Sequence, residues 1–201
     1  MSGGSVYAAL YDAVMARAER GLLHRRRVET AGAATGYVLE IGAGTGAAIP
    51  FYVSADAVCA TDPDPAMLRR ARRRLEQAAV PVTLRQCSAE NLPFADGSVD
   101  TVVATLVLCS VPDQRPALVE IRRVLAPDGL FRFVEHVRQE DGPMGRVQDV
   151  VTPLWRRCAG GCHLNRRTVV AMEAAGFALV DLRQERLLRT PVVVGVARRA
   201  V

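Results

Sequence analysis

One run of residues constrains this chain more than any other: Tyr37-Val38-Leu39-Glu40-Ile41-Gly42-Ala43-Gly44-Thr45-Gly46. An apolar strand, Val38 to Ile41, leads into glycines at alternate positions. Such glycines supply a tight turn, close approach of backbone to ligand, and a helix start whose free N–H groups favour an anionic or polar ligand. Asp62 ends the next apolar run, Ala57 to Thr61, where a carboxylate can accept hydrogen bonds from ribose hydroxyls. Together these residues describe a nucleotide-binding βα unit. They do not name the nucleotide, because Gly42-x-Gly44-x-x-Ala47 also fits the looser dinucleotide fingerprint of nicotinamide and flavin enzymes.

After residue 37, apolar runs alternate with helical periodicity, as a doubly wound α/β fold requires. Strands are expected at Tyr37 to Ile41, Ala57 to Thr61, Val82 to Gln86, Thr101 to Thr105 and Leu130 to Glu135. Leu68, Ala71, Leu75 and Ala78 recur at helical spacing, as do Leu118, Ile121 and Leu125, so each helix offers one apolar stripe to the sheet. A helix over Thr168 to Ala175 stops at Gly176, and Phe177 to Leu182 and Pro191 to Ala197 read as two further strands. Two segments have no place in the sheet. Ser5 to Arg27 reads as an amphipathic helix, and Arg138 to Arg166 as a long glycine-rich, polar loop; both could close over the carboxyl edge of the strands.

A chain of 201 residues, half of them apolar, can bury a core as a single domain over residues 1–201. The formal charge of +5 comes from arginine alone, since the sequence contains no lysine. Those arginines are spread along the chain and do not interleave with the few aromatic residues, so no nucleic-acid partner is expected. No apolar stretch approaches the roughly 20 residues that cross a bilayer, and stable membrane insertion is not expected. Five cysteines, Cys59, Cys87, Cys109, Cys158 and Cys162, with no signal peptide in view, suit a reduced, cytoplasmic protein without disulfides. The oligomeric state, monomer or homodimer, stays open.

Two further features separate the nucleotide candidates. Glu40 lies two residues before the first glycine, and Ala89-Glu90-Asn91-Leu92-Pro93-Phe94 precedes the fourth strand. In combination they resemble the class I S-adenosyl-L-methionine (SAM) methyltransferases. Thr105 to Val111, Glu120 to Gly129, Val134-Glu135-His136-Val137 and Gly161-Cys162-His163-Leu164-Asn165-Arg166 narrow the resemblance to the methyltransferase-like subfamily of alkyl-thiol S-methyltransferases. That resemblance implies a Rossmann-like, doubly wound, seven-stranded and mostly parallel sheet with an antiparallel last strand. It also implies SAM as cofactor, S-adenosyl-L-homocysteine as product and a small-molecule methyl acceptor.

The resemblance carries over residue by residue. Gly42, Ala43, Gly44 and Gly46 would form the SAM loop, and Glu40 would approach the methionine amino group. Asp62 would hold the ribose, Met67 would pack on adenine, and the Thr105 carbonyl would hold the amino group. Ser88 departs from the usual aspartate and is a weaker acceptor for the adenine amino group, which the Ala89 backbone can still contact. Tyr11 resembles a tyrosine that closes over the methionine end, within an N-terminal helical lid at residues 1–30. Residues 138–166 would form an acceptor-side insertion.

Methyl transfer requires in-line placement of a nucleophile and removal of its proton. A thiol, with an unperturbed pKa of about 8.5, needs the least help. His136, Glu135 and His163 are the catalytic candidates, whereas His24 reads as a cap or surface residue. Cys158-x-x-x-Cys162-His163 falls short of a zinc pattern for want of a fourth ligand, and no metal is expected. The sequence reading is a SAM-dependent methyltransferase whose acceptor is a small thiol, with O-, N- or C-methylation, a noncatalytic SAM-binding protein and an NAD-dependent oxidoreductase as alternatives.

Overall fold

A computed structural model describes residues 21–140, 142–187 and 190–200. Tyr11 and most of the expected N-terminal lid lie outside the described residues. Strands β1 (Gly36–Ile41), β2 (Ala55–Asp62), β3 (Val82–Gln86), β4 (Val99–Thr105), β5 (Leu125–His136), β6 (Phe177–Leu187) and β7 (Thr190–Arg199) build one sheet. Their order is β3-β2-β1-β4-β5-β7-β6. Pairing is parallel from β3 through to β5, and β7 runs antiparallel to both β5 and β6. The expected antiparallel last strand is therefore present.

This order has one switch point. The chain leaves β1 toward β2 and β3, then returns to pair β4 on the other side of β1. In open α/β sheets ligands bind beyond the carboxyl ends of the strands at such a point, here those of β1 and β4. Helix α1 (Leu22–Thr30), α2 (Pro65–Ala71), α3 (Gln114–Val124), α4 (Pro143–Cys158) and α5 (Thr168–Ala174) accompany the sheet. Asp64 caps α2 by accepting from Ala66 N at 2.7 Å, and Asp113 caps α3 by accepting from Arg115 N at 3.0 Å. Helix α3 buries Ala117, Leu118, Ile121 and Val124 against a core that contains Phe131, Phe133, Phe177 and Met172. Each fully buried Leu or Ile there contributes about 1.5–3 kcal/mol.

Three local expectations are corrected. The helix foreseen after the glycine turn is only a 3₁₀ turn at Ile49–Phe51, with Pro50 in its first turn and Tyr52 extended directly after it. The helical stripe running to Ala78 is α-helical only to Ala71 and continues as a 3₁₀ helix over Arg72–Gln77. The supposed loop at Arg138 to Arg166 contains α4, which is polar on the inside: Gly145, Gln148 and Thr152 are buried, while Val150 and Leu154 are 80% and 66% exposed. Gln148 donates to the carbonyls of Val137 (2.9 Å) and Leu164 (2.6 Å) and accepts from Gln139 N (2.8 Å). One side chain thus ties the helix to both flanking segments.

Candidate active site

The glycine turn follows β1 directly, at the switch point. Gly42, Gly44 and Gly46 all adopt positive φ, at 59°, 58° and 80°. A Cβ at Gly42 would lie 2.6 Å from Val107 Cγ2, so this glycine lets β1 and the segment after β4 approach each other. A Cβ at Gly44 would meet nothing within 4 Å. Gly44 is therefore the position that faces open space, where a ligand can lie against backbone.

Asp62 holds this turn. Its Oδ2 accepts from Gly44 N at 2.9 Å and its Oδ1 from Asp64 N at 2.9 Å. Burial raises its carboxyl above the ordinary carboxylate range, and the two backbone donors pull it back. Glu40, at the other flank, is 3% exposed, and its Oε2 has no hydrogen-bond partner among the described residues. Burial pushes the Glu40 carboxyl up to about 7, with Arg27 and the nearby Tyr52 hydroxyl acting in the opposite direction. Thr105 Oγ1, at the end of β4, is likewise buried and unpartnered. Buried polar atoms are usually paired with protein groups or ordered water, so these two are free to receive a ligand.

Beyond β3, the Ser88 hydroxyl lies 3.1 Å from Glu90 Oε2 and accepts from Glu90 N at 3.3 Å. Glu90 thus supplies a carboxylate beside the position where the sequence departs from aspartate. Met67 and Ala89 are both 7% exposed and line the hydrophobic core near this edge. The Leu92-Pro93-Phe94 segment is strapped to α3: Arg123 donates to the carbonyls of Leu92 and Phe94, both at 2.8 Å, and Glu120 Oε2 accepts from Leu92 N at 2.8 Å.

On the β4–β5 side the chain takes a strained path. Leu106 has φ 60°, the one positive value at a non-glycine among the described residues. The turn that follows is organised by Glu135, which is fully buried. Its Oε1 accepts from Val107 N and Leu108 N, both at 2.8 Å, and its Oε2 from Cys109 N at 3.0 Å. Desolvation still raises its carboxyl above the ordinary range against those donors. Arg166 clamps the same turn from outside, donating to Leu108 O, to Val111 O (2.6 Å) and to Pro112 O (2.9 Å).

His163 belongs to this clamp. Its backbone N donates to Cys109 O at 2.7 Å, and its Nδ1 lies 3.2 Å from the same oxygen. A carbonyl only accepts, so Nδ1 carries the hydrogen and Nε2 holds the lone pair. Burial, reinforced by the Arg166 charge, holds the ring below the usual histidine range. His136 points elsewhere: its Nδ1 faces Cys162 Sγ at 3.4 Å and Cys109 Sγ at 3.8 Å, and its Nε2 lies 3.1 Å from Thr190 Oγ1. The structure therefore gives Glu135, His136 and His163 three different sets of partners around one turn.

Residues 39–133 match the family described as Methyltransferase domain. The human (Homo sapiens) thiol S-methyltransferase TMT1A is 34% identical over 187 residues, covering 88% of this chain and 74% of that protein. This chain belongs to the family of SAM-dependent methyltransferases. The rat (Rattus norvegicus) thiol S-methyltransferase TMT1B is 39% identical over 155 residues, covering 72% of the methyltransferase described here and 61% of its own length. The chain thus spans less than two thirds of that relative. A solved structure titled as geranyl diphosphate methyltransferase in complex with SAM superposes with a TM-score of 0.68 at 16% identity, covering 92% of this chain and 85% of the other. At that identity the likeness is one of fold.

The site fits the family's cofactor on its own evidence. Glu40 Oε2, a buried carboxylate oxygen with no hydrogen-bond partner among the described residues although the Tyr52 hydroxyl acts on it, stands at the flank of a turn whose Gly44 faces open space. This arrangement suits the ammonium of SAM. Glu90, Thr190 and Arg166 of the methyltransferase were not singled out from sequence. Thr190 and Arg166 act through contacts spanning 54 and 55 positions of chain, which no local pattern displays, whereas Glu90 lies two residues from Ser88 and could have been read beside it.

Proposed function

We propose that this chain transfers the methyl group of SAM to the sulfur of a small thiol and releases S-adenosyl-L-homocysteine. The observation that carries methyl transfer is the buried Glu40 carboxylate oxygen, unpartnered among the described residues, beside the open side of the glycine turn. Glu40 and the Thr105 carbonyl would receive the amino group, and Asp62 the ribose. Ser88 with Ala89 would meet the adenine edge and Met67 its face. The chemistry that SAM supplies when bound is an electrophilic methyl group on a sulfonium.

The remaining demands fall on the chain's own residues. They must place the acceptor sulfur in line and take its proton. His163 is the group for the proton, since holding its Nδ1–H at the Cys109 carbonyl leaves the lone pair on Nε2. Glu135 is a positioning residue that shapes the turn carrying Cys109. The likeness to proteins named thiol S-methyltransferases supports sulfur over oxygen or nitrogen.

The test is S-adenosyl-L-homocysteine formation, read by mass spectrometry, from purified protein with SAM and matched alkyl thiol, alcohol and amine. Turnover confined to the thiol is the expected result. Turnover with the amine or alcohol alone would overturn the acceptor assignment, and SAM binding without turnover on any of the three would overturn the catalytic reading.

A further inference from the structure

Cys109, His136 and Cys162 come from three separate parts of the chain, the turn after β4, the end of β5 and the segment after α4, yet their ligand atoms lie within 4.8 Å of one another. All three residues are buried. The two sulfurs are 3.6 Å apart, and His136 Nδ1 is 3.4 Å from Cys162 Sγ and 3.8 Å from Cys109 Sγ. A disulfide would bring the sulfurs to about 2.05 Å, so the pair is unlinked. For tetrahedral zinc, with Zn–S near 2.3 Å and Zn–N near 2.05 Å, the edges of the tetrahedron are about 3.8 Å between sulfurs and about 3.6 Å between sulfur and nitrogen. The three distances each lie within about 0.2 Å of one face of such a tetrahedron.

The tautomer agrees. Thr190 Oγ1 gives its hydrogen to Leu187 O at 2.5 Å, so it can only accept from His136 Nε2, 3.1 Å away. Nε2 then carries the ring hydrogen, and the Nδ1 lone pair points at the two sulfurs. A metal-bound histidine is oriented in this way by a partner on its other nitrogen. No fourth protein ligand stands by among the described residues. Both oxygens of Glu135 are held by backbone N–H groups, and Ser110 Oγ is engaged with Leu106 O at 3.3 Å.

We propose that Cys109, His136 and Cys162 form a zinc site with its fourth position open to an external sulfur ligand. Three protein ligands plus an exchangeable fourth is the arrangement of catalytic rather than structural zinc. The metal site stands independently of the proposed activity; only the identity of the fourth ligand, the acceptor thiol, rests on that reading. Coordination would replace the acceptor's S–H bond by a Zn–S bond, the proton leaving to solvent. The metal then presents a thiolate without any change of oxidation state.

The test uses the full chain, purified reduced and without chelator, then dialysed against zinc and assayed for bound metal by mass spectrometry. About one zinc per chain is expected, lost by at least five-fold in Cys109→Ser, Cys162→Ser and His136→Gln and retained in the control Cys87→Ser. Substituted cobalt is expected to show intense sulfur-to-metal charge-transfer bands that shift on adding an alkyl thiol. SAM affinity, measured on the same variants, separates loss of the site from loss of the fold. Substoichiometric zinc in the parent protein, or stoichiometric zinc that survives in all three variants, would overturn the proposal. A Cys109–Cys162 disulfide in the freshly purified protein would overturn it as well. Zinc binding with no methylation of any thiol would uphold the site while overturning the assigned fourth ligand and activity.

Discussion

The Oε2 of Glu135 accepts the backbone N–H of Cys109 at 3.0 Å, so a fully buried carboxylate on β5 sets the conformation of the turn that ends β4. Its Oε1 holds two more N–H groups of the same turn. Replacing Glu135 by Gln keeps the shape but sets an amide N–H₂ against a backbone donor. The expected cost is about 1–3 kcal/mol in urea unfolding. Turnover should fall with stability, through the displaced turn, while SAM affinity changes by no more than a few-fold. A Glu135→Gln variant as stable as the parent would remove the carboxylate from this structural role.

Glu40 should make the free protein respond to pH. Its carboxyl stands at about 7 in the fold against an ordinary value of 4.5. Between those values the folded chain holds a proton that the unfolded chain has released. Stability from this group is therefore present below about pH 4.5 and is lost as pH rises through 7, by up to about 3 kcal/mol. SAM affinity should move the other way, because an ammonium needs the ionised carboxylate. Glu40→Gln is expected to flatten the slope of unfolding free energy with pH and to weaken SAM binding at pH 8. Identical pH slopes in the two proteins would refute the assignment.

The glycine turn permits a paired experiment. Gly42→Ala combines positive φ with a contact of 2.6 Å to Val107, and should cost about 2–4 kcal/mol of stability. Gly44→Ala has the same backbone strain, about 1–2 kcal/mol, but no clash. Its added methyl projects into the side proposed for SAM, so calorimetry should show affinity falling by tenfold or more. If Gly44→Ala binds SAM as the parent does, the ligand does not lie against that glycine.

Much of the glycine-turn side of the sheet was legible because it is local. The strand into Gly42, Asp62 at the end of β2 and the bounds of β3, Val82–Gln86, follow from apolar runs and turn residues read in order. The cluster beyond β4 and β5 was not. Cys109, His136 and Cys162 are separated by 27 and 26 positions, and the sequence pairing of Cys162 with its neighbours Cys158 and His163 misses the set the fold assembles. Helix α4 escaped because its buried face carries Gly145, Gln148 and Thr152 while apolar side chains face outward, which inverts the usual signal. Glu135 looked like a catalytic carboxylate, yet its backbone partners are set only when β5 is laid beside β4.

His163 offers a prediction in which chemistry and structure can be told apart. In His163→Ala the backbone N–H to Cys109 O remains available, so the clamp on the turn keeps one of its two contacts. SAM affinity should stay within a few-fold, while kcat with an alkyl thiol falls by about 10²-fold or more, the usual contribution of a positioned base. An aromatic thiol of low pKa is already largely thiolate near neutrality and has little use for a base. The loss should therefore shrink toward unity with the aromatic acceptor. Equal losses with both thiols would mean that His163 acts through the turn it braces and not by taking the proton.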